Sequence, residues 1–214
     1  MEQNNPVIDV YGTQMWYRNG KLHRVNGPAV IYTNGTCVWY NHGKCHRNVL
    51  PAVIHPDGTR NWYQYGKLHR TDGPAVIHAD GTQSWYYNGK LHREGGPALS
   101  YTDDNQRWYQ NGLLHRTDGP AVIHADGTQW WFQNGKVHRD DGPAIINNNG
   151  SKYWYTHGKL HRTDGPAVIL VDGTQYWYLN DKLHRVNGPA VIYSDGTQKW
   201  FTDGIEHHNP NTKD

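Results

Sequence analysis

The chain of 214 residues is 36% apolar, carries a formal net charge of +2 and has a mean hydropathy of −0.92. That balance is too polar for a thick globular core and too neutral for a uniformly basic surface. No stretch approaches the roughly 20 apolar residues of a membrane-spanning helix, and residues 1–10 have neither the basic nor the apolar region of a secretory leader. A cytoplasmic location is the expectation.

Trp16, Trp39, Trp62, Trp85, Trp108, Trp131, Trp154, Trp177 and Trp200 stand 23 residues apart with no insertion or deletion, so one small unit is copied nine times. A period of this length marks arrays in which each copy buries its apolar face against its neighbours. A single repeat domain over 1–214 is therefore expected, with short polar caps at 1–5 and 209–214. Seven residues after each tryptophan comes a histidine, from His23 to His207, and in the first eight copies an arginine follows, from Arg24 to Arg185.

In chain order, one copy runs from the β-prone Pro74-Ala75-Val76-Ile77-His78 through Asp80-Gly81 to Gln83-Ser84-Trp85-Tyr86-Tyr87. Asn88-Gly89 then leads to Lys90-Leu91-His92-Arg93. Asn-Gly and Asp-Gly supply the positive φ angles of tight hairpin turns. The pattern predicts an all-β fold, an elongated single-layer antiparallel meander of nine β-hairpin repeats. The alternative, a parallel β-solenoid with one coil per copy, has no use for two hairpin turns per coil. A two-residue loop at Asn88-Gly89 pairs Tyr87 with Lys90, Tyr86 with Leu91 and Trp85 with His92. The same loop at Asp80-Gly81 would set Val76 opposite Trp85 and Ala75 opposite Tyr86. Val, Trp and His would then share one face, and Ala, Ile, Tyr and Leu the other. Gly73-Pro74 and its equivalents force a bend between copies.

Departures from the repeat follow in order. Cys37 and Cys45 replace Gln and Leu of other copies; the proposed register sends them to opposite faces, which argues against a disulfide and favours a reducing compartment. Asn48-Val49-Leu50 replaces an Asp-Gly turn, Asp103-Asp104-Asn105 replaces Asp-Gly-Thr, Leu113 replaces Lys, Trp130 doubles the tryptophan row and Asp181 replaces Gly. The last copy reads Ile205-Glu206-His207-His208, and Pro6 and Pro210 read as edge blockers. Copies five and six, around Leu113, Trp130, Trp131 and Phe132, are expected to expose the most apolar and aromatic area. With Trp85, Trp108, His92, His115, Arg93, Arg116 and Arg139 they form the candidate binding surface.

The 23-residue period and the Asn-Gly-Lys-Leu-His core, with Asp-Gly closing the following strand, resemble MORN repeats and their bacterial relatives classed as antitoxins. The resemblance extends from Pro6 to His207. It is strongest to the His-Arg-x-Asp-Gly-Pro-Ala arrays of large phages and giant viruses. It implies a single-layer antiparallel sheet with a scaffolding or interaction role, in the host cytoplasm for a viral protein, and no family-wide catalytic residues.

The His-Arg row has two readings. It is structural if His fills space beside Trp while Arg70, Arg116 and Arg162 pair with Asp72, Asp118 and Asp164. It binds anions if the Arg, His and Lys rows face a polyanion or nucleic acid. Metal chelation along the row is defeated by spacing: equivalent histidines lie about 10 Å apart, whereas a zinc site needs its ligands within about 2.3 Å of one ion. No GxSxG, phosphate loop or HExxH occurs, so neither a catalytic residue nor a cofactor is expected. The expected function is a non-enzymatic protein-binding scaffold, a viral accessory or inhibitor protein, whose partner is another protein or a second copy in a homodimer. A polyanion- or nucleic-acid-binding ribbon and a self-assembling structural protein are the alternatives.

Overall fold

Short β-strands are the only regular elements in the computed structural model, which describes residues 5–208. Of the caps expected at 1–5 and 209–214, only Asn5 falls within the described residues, and Pro210 lies outside them. The pairings within and between copies are antiparallel, as in Val76–Ile77 with Gln83–Ser84 and Tyr86–Tyr87 with Lys90–Leu91, which removes the parallel solenoid. No helix of the described residues is long and apolar enough to cross a membrane.

The chain forms two compact units, Met1–Asp104 with Trp108–Gly112, and Asn105–Arg107 with Leu113–Asp214. In the first, a ladder runs from Val7–Ile8 through Gln14–Met15, Val30–Ile31, Cys37–Val38, Val53–Ile54, Arg60–Asn61, Val76–Ile77 and Gln83–Ser84 to Leu99–Ser100. In the second, the equivalent ladder runs from Gln106–Arg107 through Val122–Ile123, Gln129–Trp130, Ile145–Ile146, Lys152–Tyr153, Val168–Ile169 and Gln175–Tyr176 to Val191–Ile192 and Gln198–Thr202. Each Asn-Gly hairpin, such as Phe132–Gln133 with Lys136–Val137, forms a two-stranded sheet of its own. The tryptophan joins this hairpin to the ladder. In the first eight copies it interrupts the strand, so the described chain has more and shorter strands than two per copy.

The Asn-Gly turn adopts the expected geometry, with φ of 50° at Asn88 and 81° at Gly89. Tyr87 pairs with Lys90, Tyr86 with Leu91, and the His92 N–H donates to the Trp85 carbonyl at 3.0 Å. Where Asp181 replaces glycine, φ is 67° and its carboxylate accepts the N–H of Leu160 in the preceding copy at 2.8 Å, a bond that offsets the missing glycine.

The Asp-Gly turn corrects the expected register. Its loop has three residues, not two: His78 N–H donates to the Thr82 carbonyl, and Gly81 N–H to the His78 carbonyl. Gly81 sits at φ 91° and Asp80 Oδ1 accepts the Thr82 N–H at 2.8 Å, the pattern of a type I turn closed by a left-handed glycine. Val76 therefore faces Ser84, not Trp85. Alanine takes the place opposite tryptophan, with Trp62 N–H donating to the Ala75 carbonyl at 2.7 Å. The proposed division of faces fails with it.

This register explains the core. Every alanine of the Pro-Ala pairs, from Ala29 to Ala190, is fully buried, and the adjacent Val30, Val76, Val122, Val168 and Val191 are nearly so. Neighbouring copies are tied by side chains as well as by the ladder. Thr59, Thr128, Ser151 and Thr174 each accept a backbone N–H twenty residues on. In Thr128, Ser151 and Thr174 a buried hydroxyl gains a partner there, and in all four the following turn is held in register.

Candidate functional site

The most regular polar constellation is built around each tryptophan. Because histidine pairs with tryptophan across the hairpin, the next residue, arginine, is brought back over the indole. The guanidinium carbons of Arg24, Arg47, Arg70, Arg93, Arg139, Arg162 and Arg185 lie 3.7 to 4.2 Å from the ring centroids of the tryptophans eight residues earlier. Each of these guanidiniums also donates to the proline carbonyl four residues on, as Arg93 does to Pro97 at 3.2 Å. The glycine before that proline has a steric role: a Cβ on Gly96 would stand 2.9 Å from the Arg93 guanidinium carbon.

Arg70, Arg116 and Arg162 pair with Asp72, Asp118 and Asp164 at 2.8 to 2.9 Å, as expected, and Arg139 pairs with Asp141 in the same way. These arginine hydrogen bonds hold all four carboxyls below the usual aspartate range. Asp57, Asp80, Asp126 and Asp195 are lowered chiefly by the backbone N–H of the threonine two residues on.

The histidine row faces inward across copies. Nδ1 of His23, His46, His69, His92, His115, His138 and His184 accepts the backbone N–H of the first Asn-Gly loop residue nineteen positions on, at 3.1 to 3.2 Å. An accepting Nδ1 leaves the ring proton on Nε2 in the neutral imidazole. Among the described residues no group of three or more His, Cys, Asp or Glu is placed to hold a metal ion.

Between one copy's Arg-x-x-Gly turn and the next copy's tryptophan lies a shallow groove. Four such grooves measure about 560 to 720 Å³. Their walls repeat (arginine, glycine, tryptophan, histidine, arginine) while the turn residues on the rim vary. The rim carries Thr117-Asp118 and Asp140-Asp141 in one groove, Val25-Asn26 in another and Val186-Asn187 in a third.

The candidate surface is only partly gathered there. Arg116, Trp131, Phe132 and Arg139 line one groove, and Trp85, His92 and Arg93 another. Leu113 is exposed at a hairpin tip and lines none of the four; nor does Trp130, which is half-buried against His124 and Phe132. Trp108 and His115 are half-buried, and His115 accepts from Asn134. Trp131 and Phe132 are half-buried too, while the exposed apolar side chains include Val25, Val49, Leu50, Val171 and Val186 in turns outside copies five and six. The Arg–Trp stack went unread in the sequence, although glycine recurring three residues after seven of the eight His-Arg arginines, Arg47 being the exception, was a signal for it. Cys37 and Cys45 are free thiols, and burial pushes the Cys45 thiol up to about 12. No protein-family model matches the chain, and no curated protein matches it.

Proposed function

We propose that the chain is a non-enzymatic repeat module that binds another protein through its row of tryptophan–arginine grooves. The observation that carries this reading is the repeated groove, with a constant Trp–Arg wall and a turn that changes from copy to copy. A fixed frame with variable rim residues suits recognition of a protein surface, with indole and guanidinium as anchors and the rim setting specificity. The cationic row favours this over a polyanion-binding arginine ribbon, since the guanidiniums are spent on indoles, proline carbonyls and aspartates. A role as a viral scaffold or inhibitor in the cytoplasm follows the same reading, and free Cys37 and Cys45 suit a reducing compartment.

The test is capture from lysate of the native host, run with and without nuclease, comparing the wild-type chain with a rim variant carrying Val25→Ser, Val49→Ser, Leu50→Ser and Val186→Ser. These side chains are exposed, so the frame should fold unchanged. The expected result is one stoichiometric protein held by the wild type and lost by the variant. Nuclease-sensitive material alone, or equal capture by both, would overturn the proposal.

A further inference from the structure

The tips of the Asn-Gly hairpins in the first unit differ from the grooves in chemistry. The segments 17–22, 40–45, 63–68, 86–91 and 109–112 contain Arg18, Lys21, Lys44, Lys67 and Lys90 and not one carboxylate. All five cations are exposed, and among the described residues none is in an ion pair. At the other turn the charge is reversed in every copy of this unit but the second, whose turn is Asn34-Gly35, with Asp9, Asp57, Asp80, Asp103 and Asp104. In the second unit the tips at 132–137 and 155–160 carry Lys136 and Lys159 and likewise no carboxylate, but they have no tyrosine at the positions of Tyr65 and Tyr87, and the last two tips hold Asp181, Asp203 and Glu206.

The lysines are also ordered. Besides the histidine bond, consecutive tips are joined by a hydrogen bond from the loop glycine to the previous hairpin, such as Gly89 N–H to the Leu68 carbonyl at 2.8 Å. The next loop lies on the aliphatic stem of the lysine before it: a Cβ on Gly43, Gly89 or Gly112 would fall 3.6 to 3.7 Å from Cβ of Lys21, Lys67 or Lys90. These three stems are covered by the following loop, while the loop at Gly66 leaves the stem of Lys44 open; the tips recur about every 10 Å by strand spacing.

Aromatic rings stand among these cations. His42 is packed on His23 with centroids 4.5 Å apart, Tyr65 on His46 at 4.7 Å, and Tyr87 on His69 at 4.8 Å. Each tip ring is exposed; Tyr65, 69% exposed, has the more open ring, since Tyr87 also has His92 at 6.0 Å. Tyr65 adds an independent mark. It holds the first loop position at φ 51°, a left-handed conformation that the asparagines of most other copies adopt more easily. A bulky ring kept in that conformation is strain of the kind retained at functional sites.

We infer that the hairpin tips of the first unit bind single-stranded nucleic acid, with Lys21, Lys44, Lys67, Lys90 and Arg18 on the phosphates and Tyr65 and Tyr87 stacking on unpaired bases. A cation row interleaved with open ring faces is the arrangement that holds single strands without sequence preference. The bases of a duplex are already stacked and would leave the rings unused. Tyr87 also lines one of the grooves proposed for protein binding, beside Trp85 and Arg93, whereas the four lysines, Arg18 and Tyr65 line none of the four, so it is the lysines and Tyr65 that test this surface separately.

The experiment is fluorescence anisotropy of a labelled oligothymidylate of about 15 nucleotides, within the site sizes of such surfaces, titrated with the full chain from low to moderate salt. The expected result is saturable binding with a slope of log affinity on log salt of about −3.5, for five phosphate contacts on a single strand. The combined variant K21Q, K44Q, K67Q and K90Q should lose tenfold or more. Its second-unit counterpart, K136Q, K159Q and K182Q, should stay within twofold. Tyr65→Asn separates binding from folding: it should raise the melting temperature by relieving the left-handed tyrosine while lowering affinity fivefold or more. No binding at low salt, equal losses in the two lysine variants, or equal competition by polyglutamate or by phosphatidylserine vesicles would overturn the assignment.

Discussion

Nδ1 of the His69 imidazole accepts the backbone N–H of Asn88, one copy further on, at 3.1 Å. The ring is nearly buried, so it caps an amide in the left-handed turn where no strand partner reaches it. Replacing His69 with Ala leaves that N–H without its acceptor and opens a void beside Tyr87, and the expected loss is about 1–3 kcal/mol. Urea denaturation followed by tryptophan fluorescence measures it. Nitrogen NMR of the wild type should show Nδ1 as the unprotonated ring nitrogen, and a ring proton on Nδ1 would contradict the bond.

Arginine over tryptophan gives a second expectation. Arg70 lies 4.2 Å from the Trp62 centroid, donates to Pro74 and pairs with Asp72. Arg70→Lys keeps the charge but loses the flat stack and the fork of donors, so a cost of about 0.5–1 kcal/mol is expected. An unchanged denaturation midpoint would mean that the stack contributes nothing.

Acid should loosen the chain within a defined window. Asp72, Asp118, Asp141 and Asp164 are lowered from 3.8 by their arginines, and Asp57, Asp80, Asp126 and Asp195 by threonine amides. A carboxyl whose folded value lies below its unfolded value binds protons more readily when unfolded, so its stabilisation is fully present above the unfolded value. It is lost as pH falls from the unfolded value through the folded one. These groups should therefore leave the melting temperature unchanged on acidification until about pH 5, and lower it progressively below about pH 4. The combined variant D72N, D118N, D141N and D164N should show a weaker fall, read by calorimetry across that range.

The two thiols should differ in reactivity. Cys45 pairs with Tyr40, and burial raises its thiol to about 12, so it carries almost no thiolate at pH 8. Cys37 stands at the mouth of the Asn34-Gly35 turn, its Sγ 3.6 Å from the Gly35 carbonyl. Iodoacetamide at pH 8 should label Cys37 at least tenfold faster, with peptide mapping as the readout. Equal labelling would show that the hairpin opens readily around Cys45.

Much of this arrangement was legible because short-range chemistry carried it. The tryptophan period revealed the copies, Asn88-Gly89 set one turn and its register, and that register placed His92 across from Trp85. The Asp-Gly turn misled by one residue because Asp80 and Gly81 suit both a two-residue and a three-residue loop. The deciding group was Thr82, whose amide binds Asp80 and whose carbonyl takes the His78 N–H. The Arg–Trp stacks and the His69–Asn88 bond were harder to see. The first depends on how far arginine folds back beyond the paired residues, the second on how one copy is seated against the next. Neither spacing belongs to a single strand.

The bonds that tie one copy to the next through threonine and histidine reach only nineteen or twenty residues along the chain, and they recur with the same chemistry. A gene that lost or duplicated one whole copy within a unit would encode a chain in which every donor still met an equivalent acceptor. Length is thus a free variable for such a lineage: unequal exchange between repeats changes the number of rims on display without asking the fold to be solved again.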